Sequence, residues 1–503
     1  MSTHPEQQKC AVVIAGGGTA GWLTAFSLVS RLGPLVDITL IESDAIGTVG
    51  VGEATIPTMR TFHRLLGIDE REFMHHTQAT FKLGIQFEHW RNGKDTYIHS
   101  FGEIGQRSWM AEFHAFWLQA QAQGFGGSLD EYCLELQAAR AGKFAHQANN
   151  KPVNYAYHLD ATAYARFLRS KSEAAGVRRV EGKIAHVALD KESGHIEALQ
   201  LDGGRYINGD FFIDCTGFKA LLIGKALGVG YDNWSHWLAA DSAVALQTES
   251  GREAPPYTRA IAHPNGWQWQ IPLQHRTGNG LVFSHRFCTT EQAQDTLLDN
   301  LAGKPVNELR KVAFTTGRRQ KSWSKNCVAI GLSSGFLEPL ESTSIHLITT
   351  AILRLMKLFP FHQNYTHMAQ RFNQETHTEV EAIRDFIILH YHATERDDSE
   401  FWNFYRNMEI PDTLAHRLAI FEENGYVWPD EVGLFRTDSW VQVMFGQGRQ
   451  PRDHHLAAAM LAKDGLAQQL SALREGIAKS VAAMPAHTSY VNEYCKSATE
   501  PRT

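Results

Sequence analysis

Two groups of residues in this 503-residue chain have types and spacing suited to chemistry. Gly16, Gly18 and Gly21 make a G-x-G-x-x-G run, and Glu42 follows at about the distance at which an acid meets a ribose. The first glycine permits a tight turn, the second lets a pyrophosphate approach the backbone, and the third lets helix and strand pack closely. The acid can then accept from a ribose 2′-hydroxyl, so the run predicts a dinucleotide site. The second group is the helix entrance Pro339, Glu341, Ser342, Thr343, Ser344. A helix N-terminus carries unpartnered N–H groups and a partial positive charge, so it can hold an anion without a basic side chain. Taken alone, the stretch reads as an ordinary capped helix, with Glu341 complementing the dipole by a few tenths to about 1 kcal/mol.

The glycines need a strand before them and a helix after them. Residues 10–15 (CAVVIA) read as a buried parallel strand, and residues 37–41 (DITLI) as a second one leading to Glu42. Two more strand-to-glycine turns lie far downstream, at residues 210–217 and 327–335. One nucleotide-binding unit assembled from distant pieces is therefore expected. The anion-holding entrance needs a helix behind it, and apolar residues from Ile345 to Phe359 recur at spacings of three and four. Residues 49–60 read as a glycine-rich loop punctuated by Pro57. Residues 80–90 alternate with a period of two, which makes a half-buried strand and puts Lys82 on its polar face as a solvated lysine. His99 and Phe101 fall on one face, and residues 124–144 read as loop and helix. Residues 183–202 read as a hairpin capping a sheet edge. Between residues 259 and 287 two strands are expected, with Trp267, Trp269 and Ile271 on one face of the first, an aromatic core stripe by itself. From Pro360 the pattern is helical, with breaks such as Pro411, and residues 485–503 read as a frayed tail.

Composition narrows the class. A formal net charge of −6 without a Lys/Arg run argues against a nucleic-acid partner. No uncharged run approaches the roughly 20 residues of a membrane span. The six cysteines have no C-x-x-C spacing, so a reducing cytoplasm is expected, with no metal site. The 25 histidines, among them His75, His76, His158 and His392, show no ligand spacing and read as solvated or core residues.

Taken together, GGGTAGW, VGEATIP, TFKLGIQFEHW, GWQWQIP and GFLEPLESTS resemble the flavin-dependent halogenases of the tryptophan halogenase type. The motifs spread from Gly16 to His346, and W-x-W-x-I-P at residues 267–272 is the most specific. The resemblance implies an α/β fold: an FAD-binding, doubly wound domain like that of flavoprotein monooxygenases, intertwined with a mostly helical substrate domain. The expected boundaries are residues 1–110, 150–240 and 315–360 for the FAD part. Residues 240–315 and 361–485 make the substrate part, and 486–503 the tail. It further implies that FADH2 from a separate flavin reductase, O2 and chloride or bromide give hypohalous acid, which travels an internal tunnel to an electron-rich arene, an indole. Lys82 matches the family's lysine and Glu341 its catalytic glutamate, so Lys82 is expected in an enclosed site, where desolvation disfavours an ammonium. The two are expected to meet in one dry chamber.

By the same resemblance the halide lies on the backbone N–H groups of Thr343 and Ser344, a position where the family often has glycine. Leu332 and Ile345 border the flavin ring, Thr19, Ala20, Ala54 and Val187 are further flavin contacts, and Trp267 and Trp269 wall substrate away from the flavin. His99 and Phe101 match ring-stacking positions, with Trp440 a third wall. The C-terminal stretch DSWVQVMFGQG lacks a Tyr-Tyr pair, which puts free tryptophan in doubt and leaves indoles without the amino-acid group, or larger ones, open. A homodimer is left open. Two other readings share the nucleotide unit: a single-component flavin-dependent aromatic hydroxylase and a non-catalytic flavin-binding protein.

Overall fold

A computed structural model describes residues 9–46, 52–251, 253–361, 365–429 and 433–496. It is a mixed α/β structure in two units. The first comprises residues 1–78, 159–236 and 314–381, the second residues 79–158, 237–313 and 382–503. Residues 79–110 and 150–158, assigned to the FAD part by sequence, therefore belong to the second unit, and residues 361–381 belong to the first.

In the first unit the apolar runs pair side by side. Cys10–Ala15 lies between Val36–Glu42 and Phe211–Asp214, all parallel, with Arg178–Glu181 beyond the one and Cys327–Ala329 beyond the other. Trp323–Ser324 adds an antiparallel edge. The central strands are mostly buried Val, Ile, Leu and Phe, as strands covered on both faces must be, whereas the edge strand Arg178–Glu181 is largely exposed. The downstream strand-to-glycine turns thus come to the same sheet as the first one. Ile184–Leu189 and Ile196–Leu201 form the expected hairpin, but they join Tyr206–Asn208 in a separate small sheet packed on the apolar cluster of Phe212, Leu222 and Leu199. Residues 49–51 of the glycine-rich loop lie outside the described residues. The rest of that stretch forms a short strand, Gly52–Ala54, and the helix Thr58–Leu66 behind Pro57.

The second unit is built on a seven-stranded sheet. Its order is Arg310–Ala313, Ser242–Glu249, Arg276–Phe283, Gly266–Pro272, Thr258–His263, Gly84–Glu88 and Thr96–Ser100. The single strand expected over residues 80–90 is two strands. Gly84–Glu88 enters this sheet, whereas Thr80–Lys82 pairs with Ala156–Asp160. No polar face results: Phe81, Lys82, Leu83, Ile85 and Phe87 are all buried. Within the expected frayed tail residues 487–495 are instead the helix His487–Cys495, with His487, Val491 and Cys495 buried, and residues 497–503 lie outside the described residues. The helices Glu400–Asn407 and Asp412–Asn424 part at Pro411 as the sequence requires.

Candidate active site

The glycine turn works as its spacing predicts. Gly16 has φ +108, and a Cβ there would overlap the carbonyl of Cys215; one on Gly21 would overlap the carbonyl of Gly16. Gly18 differs, since a Cβ built there meets nothing within 4 Å. Behind it the helix Thr19–Leu32 begins with no side-chain cap and no acid in its first turn, so its N–H groups are left for an anion. The Glu42 carboxylate lies over Gly17. It accepts from Trp22 Nε1 at 3.2 Å, Arg179 Nε at 2.6 Å and Arg169 Nη1 at 3.2 Å. Open backbone above Gly18, uncapped N–H groups and an oriented acid fit a dinucleotide. Thr19 and Ala20 open the helix, and Gly331, at φ +77, approaches Ala20 so closely that a Cβ would collide with it. Leu332, beside it, is exposed, Ala54 is half-buried, and Val187 sits in the small sheet on the apolar cluster.

In the same unit Pro339–Glu341 forms one 3₁₀ turn, closed by Ser342 in the left-handed region at φ 59. That reversal separates Glu341, 1% exposed, from the helix Ser344–Lys357. Thr343 is the N-cap, yet its side chain accepts no hydrogen bond, and the first turn holds no acid. The expected capping hydroxyl is thus not used, and Ile345 is buried just inside the helix. Sequence reasoning missed what braces this helix. His346 Nδ1 lies 3.0 Å from Thr58 Oγ1, its Nε2 lies 3.1 Å from Glu379, and Glu379 also accepts from Arg354 and Thr350 at 3.0 Å. Burial pushes the Glu379 carboxyl up, but His346 and Arg354 outweigh it and hold it below the usual value. Glu53, between Gly52 and Ala54, is pushed up to about 7 by burial.

Lys82, in the second unit, is 0% exposed, and its Nζ lies 5.3 Å from the centroid of the Phe101 ring. Strand alternation puts Thr80 on the same face and Phe81 on the other. Opposite Thr80 stands His158. Thr80 donates to the Pro272 carbonyl at 2.7 Å, so its oxygen accepts from His158 Nδ1–H at 3.0 Å, and His158 Nε2 accepts from Thr258 at 3.0 Å. The imidazole is neutral; burial first, then the neighbouring Lys82 and His487, hold its pKa well below the usual value. His487 accepts from the Phe81 N–H at 3.2 Å and donates from Nδ1 to the Ala254 carbonyl at 2.6 Å, and burial lowers its pKa to about 4. The supposed tail therefore anchors the residue next to Lys82. No sequence spacing announced His158 or His487 as Lys82's neighbours.

His99 and Phe101 flank Ser100 at the end of the strand Thr96–Ser100. The His99 ring lies 5.5 Å from Phe386 and 6.4 Å from Phe435, and Phe386 lies 4.8 Å edge-on from Trp440. Phe386 and Phe435 stack at 3.8 Å. His99 and Trp440 thus both pack on Phe386, which Phe435 stacks against, while Phe101 lies by Lys82. Asn154 Nδ2 holds the Phe101 carbonyl at 2.7 Å, and Glu135 accepts from the Asn154 N–H at 2.9 Å. Trp267 and Trp269 are buried with ring centroids 6.1 Å apart. Among the described residues no group of three His, Cys, Asp or Glu is placed to hold a metal ion, and no helix is long and apolar enough to cross a membrane.

Comparison with known proteins bears on this geometry. The tryptophan halogenase family model matches residues 11–463. The tryptophan 6-halogenase SttH of Streptomyces toxytricini is 34% identical over 95% of this chain and 97% of its own. Among solved structures, Xcc4156, a flavin-dependent halogenase from Xanthomonas campestris, superposes with a TM-score of 0.96 at 52% identity, covering 98% of this chain and 100% of that one. BrvH, a flavin-dependent halogenase from Brevundimonas sp. BAL3, gives 0.93 at 43%, covering 97% and 100%. With the glycine turn, the buried lysine and the W-x-W-x-I-P strand all in place, the chain belongs to the tryptophan halogenase family and is a flavin-dependent halogenase.

Proposed function

We propose that this enzyme uses FADH2, delivered by a separate reductase, to halogenate an indole, with Lys82 and Glu341 as its catalytic residues. The observation that carries the reading is the wholly buried Lys82, its ammonium over the Phe101 ring at 5.3 Å. A lysine without a chemical task belongs in water, since burying an ammonium costs several kcal/mol even after relaxation.

FAD would lie along Gly16, Gly18 and Gly21, with its ribose on Glu42 and its ring near Ala54, Leu332 and Ile345; Val187 is the outlying contact. A bound reduced flavin supplies two electrons that, with O2, a proton and a halide, yield hypohalous acid, water and oxidised flavin. The halide is held by the backbone N–H groups of Thr343 and Ser344, an assignment supported by a helix start that neither a hydroxyl nor an acid occupies. Trp267 and Trp269 keep the arene from the flavin. Lys82 donates a hydrogen bond to the oxygen of hypohalous acid, or carries the halogen on its amine. The arene carbon takes the halogen without its electron pair, the hydroxide left behind takes a proton from the Lys82 ammonium and leaves as water, and Glu341 accepts the proton lost from that carbon, which then restores the ammonium. General acid/base help of this kind is typically worth about 10²–10⁴-fold.

The substrate lies against His99, Phe101 and Trp440. SttH acts on tryptophan; for this chain, with DSWVQVMFGQG where a tyrosine-rich lid is expected, an indole lacking the amino-acid end fits at least as well. A cytoplasmic location suits the reductase dependence. The test is to supply FAD, a flavin reductase, NADH and bromide or chloride with indole and with tryptophan, and to read the mass shift. A halogenated indole supports the reading. NAD(P)H oxidation by the chain alone with hydroxylated product would overturn it.

A further inference from the structure

The strand Thr96–Ser100 is an edge of the seven-stranded sheet, bonded on one side to Gly84–Glu88. An edge strand leaves backbone groups without a ladder partner, and something must cover them. Here the helix Thr437–Gly446 does so. Gln442 Oε1 accepts from the Ser100 N–H at 2.9 Å and from the Ser100 hydroxyl at 2.8 Å, and its Nε2 donates to the Ser100 carbonyl at 3.3 Å. One side-chain amide thus stands in for the missing strand at the residue between His99 and Phe101.

The docking extends along the helix. Asp438, four residues earlier, accepts from the Ile104 N–H at 3.0 Å and from Arg107 at 2.9 Å. Gly446, four residues later, packs so tightly on the Tyr97 ring that a Cβ would overlap it, and Gln447 donates to Tyr97 Oη at 3.1 Å. Residues four apart share a helix face. Helix numbers rise as strand numbers fall, so 438, 442 and 446 match Ile104, Ser100 and Tyr97 as an antiparallel strand would. Trp440 lies on another face, toward Phe386 and through it His99.

We propose that Gln442 is a positioning residue that sets the register between this helix and the strand, and through it the spacing of Trp440 from His99 and Phe101. That spacing determines which ring carbon is presented for halogenation. The inference rests on the indole-halogenase reading.

The test compares Gln442→Leu, which removes all three bonds, with Gln442→Glu, which keeps both acceptor bonds. The readouts are the ratio of product isomers, the share of hypohalous acid escaping to a trap, and the indole dissociation constant by calorimetry. Gln442→Leu should change the isomer ratio, raise escape and weaken indole at least about fivefold. Oxidant formation should be unchanged, and product formation should fall toward the ~10²-fold that a 1 Å misplacement can cost. Gln442→Glu should restore most of the isomer ratio. A Leu variant with wild-type ratio, escape and affinity, or a Glu variant no better than Leu, overturns the proposal. If Gln442→Leu does not fold, Gln442→Asn carries the same test, and an unchanged isomer ratio there overturns it. Wild-type enzyme that halogenates no indole sinks the functional reading instead, and equal indole dissociation constants across the variants would then overturn this one.

Discussion

The site proposed at the glycine turn of the first unit is made of backbone: the open face above Gly18, the uncapped N–H groups of Thr19–Leu32, and those of the helix start at Thr343 and Ser344. Around Lys82 in the second unit the working parts are side chains, Phe101, His158 and, behind the strand, His487, drawn from three distant stretches. A site made of N–H groups tolerates a change of side chain as long as the chain path survives. A site made of side chains around a buried charge does not, because removing one member leaves the others desolvated without compensation.

Substitutions test that contrast directly. The largest effect is expected at Lys82→Ala: halogenated product is lost while FAD still binds and hypohalous acid is still released to a trap. Near-normal product would remove the lysine from the mechanism. Glu341→Ala should lower turnover at least about 10²-fold with flavin affinity intact, read by single-turnover product formation. Gly18→Val comes next. Its backbone, at φ −76 and ψ −172, is extended and open to any residue, and a Cβ added there meets no atom within 4 Å. The apoprotein should keep its Tm while flavin affinity falls at least about tenfold, roughly 1.4 kcal/mol. An unchanged flavin Kd would mean that the open face is not where the pyrophosphate lies.

Stability against pH is a smaller test. Burial holds His63 down to about 3 and His487 to about 4, and His158 well below its usual value. Unfolded histidines take protons near 6.5 and these do not, so stability falls as pH drops from 6.5 toward 4. Glu53, raised to about 7 by burial, works the other way, costing stability as pH rises from 4.5 to 7. Several buried histidines are held down against this carboxyl, so Tm should be lower at pH 5.5 than at pH 7. A flat profile would mean the imidazoles are not buried neutral. Smallest of all, Ser344→Gly should leave the halide dependence of turnover within about twofold, since the N–H remains.

Much of the first unit was legible because its elements obey local rules. The strand at Cys10–Ala15, the glycines behind it and the strand leading to Glu42 follow in order within one short segment, where periodicity and turn chemistry decide the outcome. Lys82 was misread by pattern, since alternation assumes one wet face. The chain instead breaks at Leu83, sends its two halves into different sheets, and covers both faces. The tail was misread for a related reason. Its helix His487–Cys495 is held by the Phe81 N–H, more than four hundred residues earlier, which no local signal encodes.

Local chain chemistry settled which backbone stretches are strands, turns and helix starts, and so where a phosphate and a halide could meet N–H groups, because those choices are made over a few neighbouring residues. It took the packed molecule to make Lys82 dry, to keep His158 beside it neutral, and to bring Gln442 to the edge beside His99 and Phe101. Desolvation and hydrogen-bond partners are set by what packs from far along the chain, and spacing along the chain carries no record of it.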